Sequence, residues 1–142
     1  MNRFDIIFCI NGKKDKITNY EEVISELNEK EEKLYSIKAK YRLDQSRFLE
    51  GLNKRKSEVH NVRQLTRIRA AERYSEGMNE LLIGNEPQNV IRDIEDIIWK
   101  VDIEITSNSE KIQECKRNIT NLSSEISDLK YRLKRLDEGE QL

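Results

Sequence analysis

Apolar residues in the second half of the chain recur at alternating spacings of three and four. One row holds Ile91, Ile98, Ile105, Ile112, Ile119, Ile126 and Leu133, and its companion holds Ile94, Val101, Asn108, Cys115, Leu122, Leu129 and Leu136. This heptad spacing keeps one narrow stripe facing a partner helix, so it predicts a long helix over residues 88–137. β-Branched Ile in one row and Leu in the other is a composition that favours two parallel strands.

The first half is less regular. Residues 3–10 alternate, with Phe4, Ile6, Phe8 and Ile10 on one side and Asp5, Ile7 and Cys9 on the other, and Asn11-Gly12 follows. Alternation closed by Asn-Gly is a hairpin signal, because both residues tolerate positive φ. A small β-strand or hairpin is therefore expected over 1–17, although its return segment, 13–17, is mostly charged. Thr18 with Glu21 then reads as a capping box opening a helix that runs from 18 to 83. Tyr20, Leu27, Leu34, Tyr41 and Phe48 recur every seventh position. Taken three residues on, their companions are Val23, Lys30, Ile37, Asp44 and Gly51, a row that is half polar, and a break is expected near Gly51. The pattern returns through Val59, Val62, Leu65, Ile68, Ala71, Met78 and Leu82. Gly84-Asn85-Glu86-Pro87 reads as a turn over 84–87, and 138–142 as a tail.

These elements predict an all-α dominated fold: an elongated antiparallel helical hairpin or coiled coil with a small N-terminal β element. A short turn between two long helices folds them back on each other. Charge agrees with a reversal at 84–87. The basic stretch 54–73 carries Lys54, Arg55, Lys56, Arg63, Arg67, Arg69 and Arg73, and it would lie beside the acidic stretch 86–104. In that register, however, the first helix opposes 112–133 with Asp44, Arg47, Gly51 and Lys54 to Lys56, a poor cover for an apolar seam. Burial is worth ~25 cal/mol per Å². A homodimer is therefore expected, self-associating through Ile112, Cys115, Ile119, Leu122, Ile126, Leu129, Leu133 and Leu136. Asn108, inside the seam, either fixes register or marks a local loosening where its amide meets water.

Composition narrows the classes further. Of 142 residues, 37% are charged and 6% aromatic, with five Gly and one Pro, which is the balance of long helices. No apolar run reaches the ~18 residues of a membrane span. The apolar start is interrupted by Asp5 and lacks a full secretory h-region and cleavage site. With two cysteines, Cys9 and Cys115, there is no disulfide framework. A reducing, cytoplasmic setting is expected, in which the Asn118 and Asn121 glycosylation sequons are chance matches. His60 is the single histidine and has no identifiable orienting partner. Cys and His together cannot supply a tetrahedral zinc site in one chain, and no phosphate-binding glycine loop occurs. The expectation is no enzyme, no cofactor, no metal and no small-molecule substrate.

What remains is an assembly or adaptor protein that binds another protein and itself. Candidate partner-binding residues are Phe4, Ile6, Phe8 and Ile10 on the expected strand, and Trp99 and Ile103, one helical turn apart outside the seam. Trp is enriched at interface hot spots, although a broader bundle core would use the same residues. A competing class is a nucleic-acid-binding dimer using the basic helix 54–73, with Arg63, Arg67, Arg69 and Arg73 on phosphates. That stretch has no interleaved aromatic before Tyr74, and pairing with the acidic stretch explains it more economically. A third class is a small inhibitor or chaperone that presents its N-terminal strand to a protein partner.

Overall fold

The computed structural model describes residues 2–64 and 69–139. They form three helices: α1 (Arg3–Arg63), α2 (Arg69–Ile83) and α3 (Asn85–Asp137). No strand occurs among the described residues, and the chain is all-α.

The expected strand over 1–17 is thus helix, and a local device explains why. Asn2 Oδ1 accepts the Asp5 N–H at 2.9 Å while Asp5 Oδ2 accepts the Asn2 N–H at 3.3 Å. The reciprocal pair is a capping box, satisfying two backbone donors at the helix start. It sits sixteen residues before the box expected at Thr18, whose hydroxyl instead donates to the Lys14 carbonyl inside the helix at 3.2 Å. Gly12 takes no positive φ. A pattern of period two over eight residues gives way to the longer period it is embedded in. Ile6, Ile10, Lys13 and Ile17 stand in phase with Tyr20, Ile24 and Leu27, spaced four and three throughout, and all are buried or half-buried.

That phase also removes the expected break at Gly51. The companions of Tyr20, Leu27, Leu34, Tyr41 and Phe48 lie four residues on, at Ile24, Glu31, Lys38, Gln45 and Leu52, each half-buried or buried. The row three residues on is largely outside: Val23, Lys30, Ile37 and Gly51 are exposed. Gly51 is an interior position of α1.

The residues group into two units, Met1–Lys33 with Ile105–Leu142, and Leu34–Glu104. In the first, α1 and α3 run antiparallel, as Arg3 Nε lies 3.5 Å from Asp137 Oδ1 and Lys13 pairs with Glu125. Ile6 and Ile10 pack with Ile126 and Leu129, and Cys9, Ile17, Leu133 and Leu136 close the cluster. At its C-terminus α3 stops where Gly139, at φ 74°, donates its N–H to the Leu136 carbonyl, the left-handed ending that glycine permits.

In the second unit, Leu52, Val59 and Leu82 form the core, with Phe48, Met78 and Ile91 against it. Ala71 and Ser75 present small side chains to α1, and Ser75 Oγ reaches the Val59 carbonyl at 3.5 Å. Val59 lies opposite Ser75, Leu52 opposite Leu82, and Lys38 pairs with Asp102 at 2.6 Å. So α2 and this part of α3 both run antiparallel to α1. The reversal expected at 84–87 is therefore not found there, since α2 and α3 both run opposite to α1. At Gly84 the chain bends without reversing. A Cβ there would stand 2.5 Å from the Glu80 carbonyl oxygen, so only glycine lets the last turn of α2 pass into α3. Pro87 falls in the first turn of α3, where backbone N–H groups have no intrahelical acceptor to lose.

Candidate protein-binding surfaces

The helical N-terminus sorts the four apolar residues of the expected strand into two pairs. Ile6 and Ile10 are 2% and 5% exposed and belong to the core, whereas Phe4 and Phe8 are 83% and 79% exposed. Positions four apart share a helix face, so the two rings stand one turn apart, and Ile7, 36% exposed, extends the patch sideways. Gly12, the next position along the Phe4–Phe8 stripe, adds no side chain to it. The Asn2–Asp5 box and the Arg3–Asp137 pair hold the backbone beneath the rings. Phenylalanine buries 150–250 Å² when it packs, and here two rings bury little of that.

The residues expected to mediate self-association have a different environment. Ile112, Cys115, Ile126 and Leu129 are buried, and Ile119, Leu122, Leu133 and Leu136 half-buried. Their cover comes from the chain itself. The expectation of a second copy rested on Asp44, Arg47, Gly51 and Lys54 to Lys56 lying opposite this seam. Ile6, Ile10 and Ile17 pack against this seam instead, at Ile126 and Leu129, so that premise is corrected. Asn108, 1% exposed, donates its Nδ2–H to the Leu27 carbonyl at 2.8 Å, while its Oδ1 has no hydrogen-bond partner.

Trp99 and Ile103 are 63% and 46% exposed. Trp99 lines a shallow depression with Arg42, Gln45, Glu95, Ile98 and Asp102. The basic stretch meets the acidic one only at its start, where Arg55 and Glu86 line one depression. Most of 54–63 instead lies against α2, which carries Arg69 and Arg73 but also Glu72 and Glu76. Arg63, Arg69 and Arg73 are exposed, and Arg67 lies outside the described residues. No ion pair to another described residue forms at Lys54, Arg55, Lys56, Arg63, Arg69 or Arg73.

One feature has no counterpart in the expectations above. Where α2 bends into α3, the second unit carries an open trough of about 570 Å³. Phe48, Leu52, Met78 and Leu82 supply its apolar surface, with Leu81 and Val90 exposed beside it. Gly51 lines it between Arg47 and Arg55, and Glu86 and Pro87 stand at the start of α3. The signal for this site was in the chain. Arg47, Gly51 and Arg55 are spaced four apart on one face, and reading Gly51 as a helix break hid them.

No three or more His, Cys, Asp or Glu residues cluster as metal ligands among the described residues, and no described helix is long and apolar enough to cross a membrane. His60 is exposed, with Nε2 3.4 Å from Gln64 Nε2. Comparison with family models, curated proteins and solved structures gave no match.

Proposed function

We propose that the chain is a non-enzymatic coiled-coil assembly or adaptor protein, and that it takes a protein partner on the Phe4–Ile7–Phe8 face. The observation that carries this reading is the pair of aromatic rings, 83% and 79% exposed, on a helix whose opposite face is buried. Aromatic residues are enriched at interfaces, and an amphipathic helix offering i, i+3 and i+4 anchors is a standard way for one helix to dock in another protein's groove. The coiled-coil assignment draws its support from the two α3 rows and the matching α1 rows, which alternate three and four and are buried or half-buried. Two free thiols, Cys9 half-buried and Cys115 buried, fit the reducing, cytoplasmic setting included in the proposal. Self-association, if it accompanies this role, runs through the same exposed aromatic face, because the seam is covered.

The test is Phe4→Ala with Phe8→Ala in the full chain. Helix content and melting should stay unchanged, because neither ring is packed, while capture of the protein partner and any concentration-dependent association should be lost. A double variant that still captures every partner of the native chain removes the proposal. A second reading, nucleic-acid binding, is favoured by the six cationic side chains left without ion pairs. It requires affinity for duplex or single-stranded probes that falls steeply with salt and is lost when Arg63, Arg69 and Arg73 become Ala.

A further inference from the structure

The geometry points to a second docking site, in the trough of the Leu34–Glu104 unit, whose occupant is an acidic amphipathic helix of a protein partner. The trough belongs to a different unit from the Phe4–Phe8 face and rests on different observations.

Its shape decides first between ligand classes. Small molecules bury most of their surface in pockets of 300–1,000 Å³. This one has the volume, about 570 Å³, but lies open to solvent, with Leu81 and Val90 of its lining exposed. An open apolar channel between helices fits a segment of another protein that brings its own cover. The surrounding elements decide the kind of segment. No strand among the described residues offers an edge for strand addition, whereas a groove between helices accepts apolar anchors at i, i+4 and i+7 from a further helix. Leu81 and Val90, 62% and 40% exposed, would be covered by such an arrival.

Charge decides the rest. Arg47 and Arg55 flank Gly51 one turn to either side, both exposed, and neither has an ion pair with another described residue. Gly51 has no heavy atom within 4 Å of the place a Cβ would take, so the backbone between the two guanidinium groups is open to close approach. Arginine forks pair two-handed with carboxylates, and two such forks separated by a glycine suit acidic residues on either side of an apolar anchor. Glu86 is the single acidic residue lining the trough. It is the exception that predicts a sign, since removing its charge should strengthen an acidic ligand.

The experiment uses fluorescence anisotropy on the full chain with a labelled model helix carrying Leu at i, i+4 and i+7 and Glu on its polar face. A matched peptide with Lys in place of Glu is the control. Binding is expected for the acidic peptide and not for the basic one. Gly51→Leu should fill the trough and weaken binding at least about tenfold, while its melting temperature rises because leucine is a better helix former than glycine. Arg47→Glu with Arg55→Glu should weaken binding by a similar factor, and Glu86→Gln should tighten it. Failure of the acidic peptide to bind, equal binding of the basic peptide, or full binding by a folded Gly51→Leu variant would each overturn the assignment. So would light scattering that shows the trough occupied by a second copy of this chain. Phe4→Ala with Phe8→Ala should leave the peptide's affinity unchanged, which separates this site from the aromatic face.

Discussion

The two units bury their apolar residues to different degrees. The unit of Met1–Lys33 with Ile105–Leu142 closes a regular seam, Ile6 and Ile10 against Ile126 and Leu129, and ties its margins with Arg3–Asp137 and Lys13–Glu125. Its most exposed apolar side chains are Phe4 and Phe8, with Ile7 beside them, while Val23 and Tyr131 are also exposed. The Leu34–Glu104 unit builds its core from residues of unequal size, Val59 and Leu52 against Ser75, Ala71 and Leu82. It leaves Leu81, Ile83, Val90, Trp99 and Ile103 exposed. Although Lys38 pairs with Asp102, Arg47, Lys54, Arg55, Lys56, Arg63, Arg69 and Arg73 form no ion pair with another described residue. Small residues bring helices close but fill little space, so a core built on them cannot also cover long side chains at its margins. The regular seam therefore closes most of the apolar surface of its unit, whereas the irregular core leaves more of it exposed.

The largest expected effect tests the closed seam. Ile126→Ala removes packing on Ile6 and Ile10 and should cost about 2–5 kcal/mol. Urea melts at two protein concentrations should show the same midpoint, because the partner of Ile126 is in the same chain. A midpoint that rises with protein concentration would return the seam to a second copy.

The expectation of a second copy on this seam rested on a register that the structure changes, and the change shows how far the chain could be read. The α3 rows were legible because fourteen seam positions keep one phase with only Asn108 and Cys115 departing from aliphatic character. Helix as the dominant structure followed from the same rows. The α1 rows are interrupted by Lys13, Glu31, Lys38 and Gln45, and polar residues at seam positions erase the period from inspection. Lys13 and Lys38 tolerate those positions because they reach Glu125 and Asp102 across the helix pair, and such long-range partners are invisible until the register is known. Asn2 and Asp5 were a readable cap, overridden by a stronger-looking Asn11-Gly12 signal. The reversal was missed because glycine and proline drew it to 84–87, where they make a bend instead. The aromatic face followed only in part: the alternation put Phe4 and Phe8 with Ile6 and Ile10, and the helix separates them.

Two glycines in the second unit should answer the same substitution with opposite signs. Gly84→Ala forces a methyl toward the Glu80 carbonyl, at 2.5 Å in the present backbone, and should destabilise by about 1–3 kcal/mol as an overpacked site does. Gly51→Ala meets nothing within 4 Å and should stabilise by about 1 kcal/mol through helix propensity. Thermal melts of the two variants measure both. If Gly84→Ala is neutral, the bend is not held by steric exclusion, and the second unit is looser than its contacts imply.

The smallest change in stability is expected at Asn108, and it separates stability from register in the first unit. The bond from Nδ2 to the Leu27 carbonyl contributes roughly 0.5–1.5 kcal/mol, whereas leaving Oδ1 buried and unpartnered costs roughly 1–3 kcal/mol. Replacing both by an apolar side chain of similar size should therefore be neutral or slightly stabilising, so Asn108→Leu should melt no lower than the native chain. Its effect belongs to specificity. Leucine packs against many positions of α1, but an amide bonded to one carbonyl fixes which turn of α1 faces which turn of α3. Spin labels at two exposed positions, Glu21 and Arg117, should give a narrow distance distribution in the native chain and a broader one in Asn108→Leu. A variant that is both less stable and equally narrow would show that Asn108 holds the unit together by its bond, and that the seam alone sets the register.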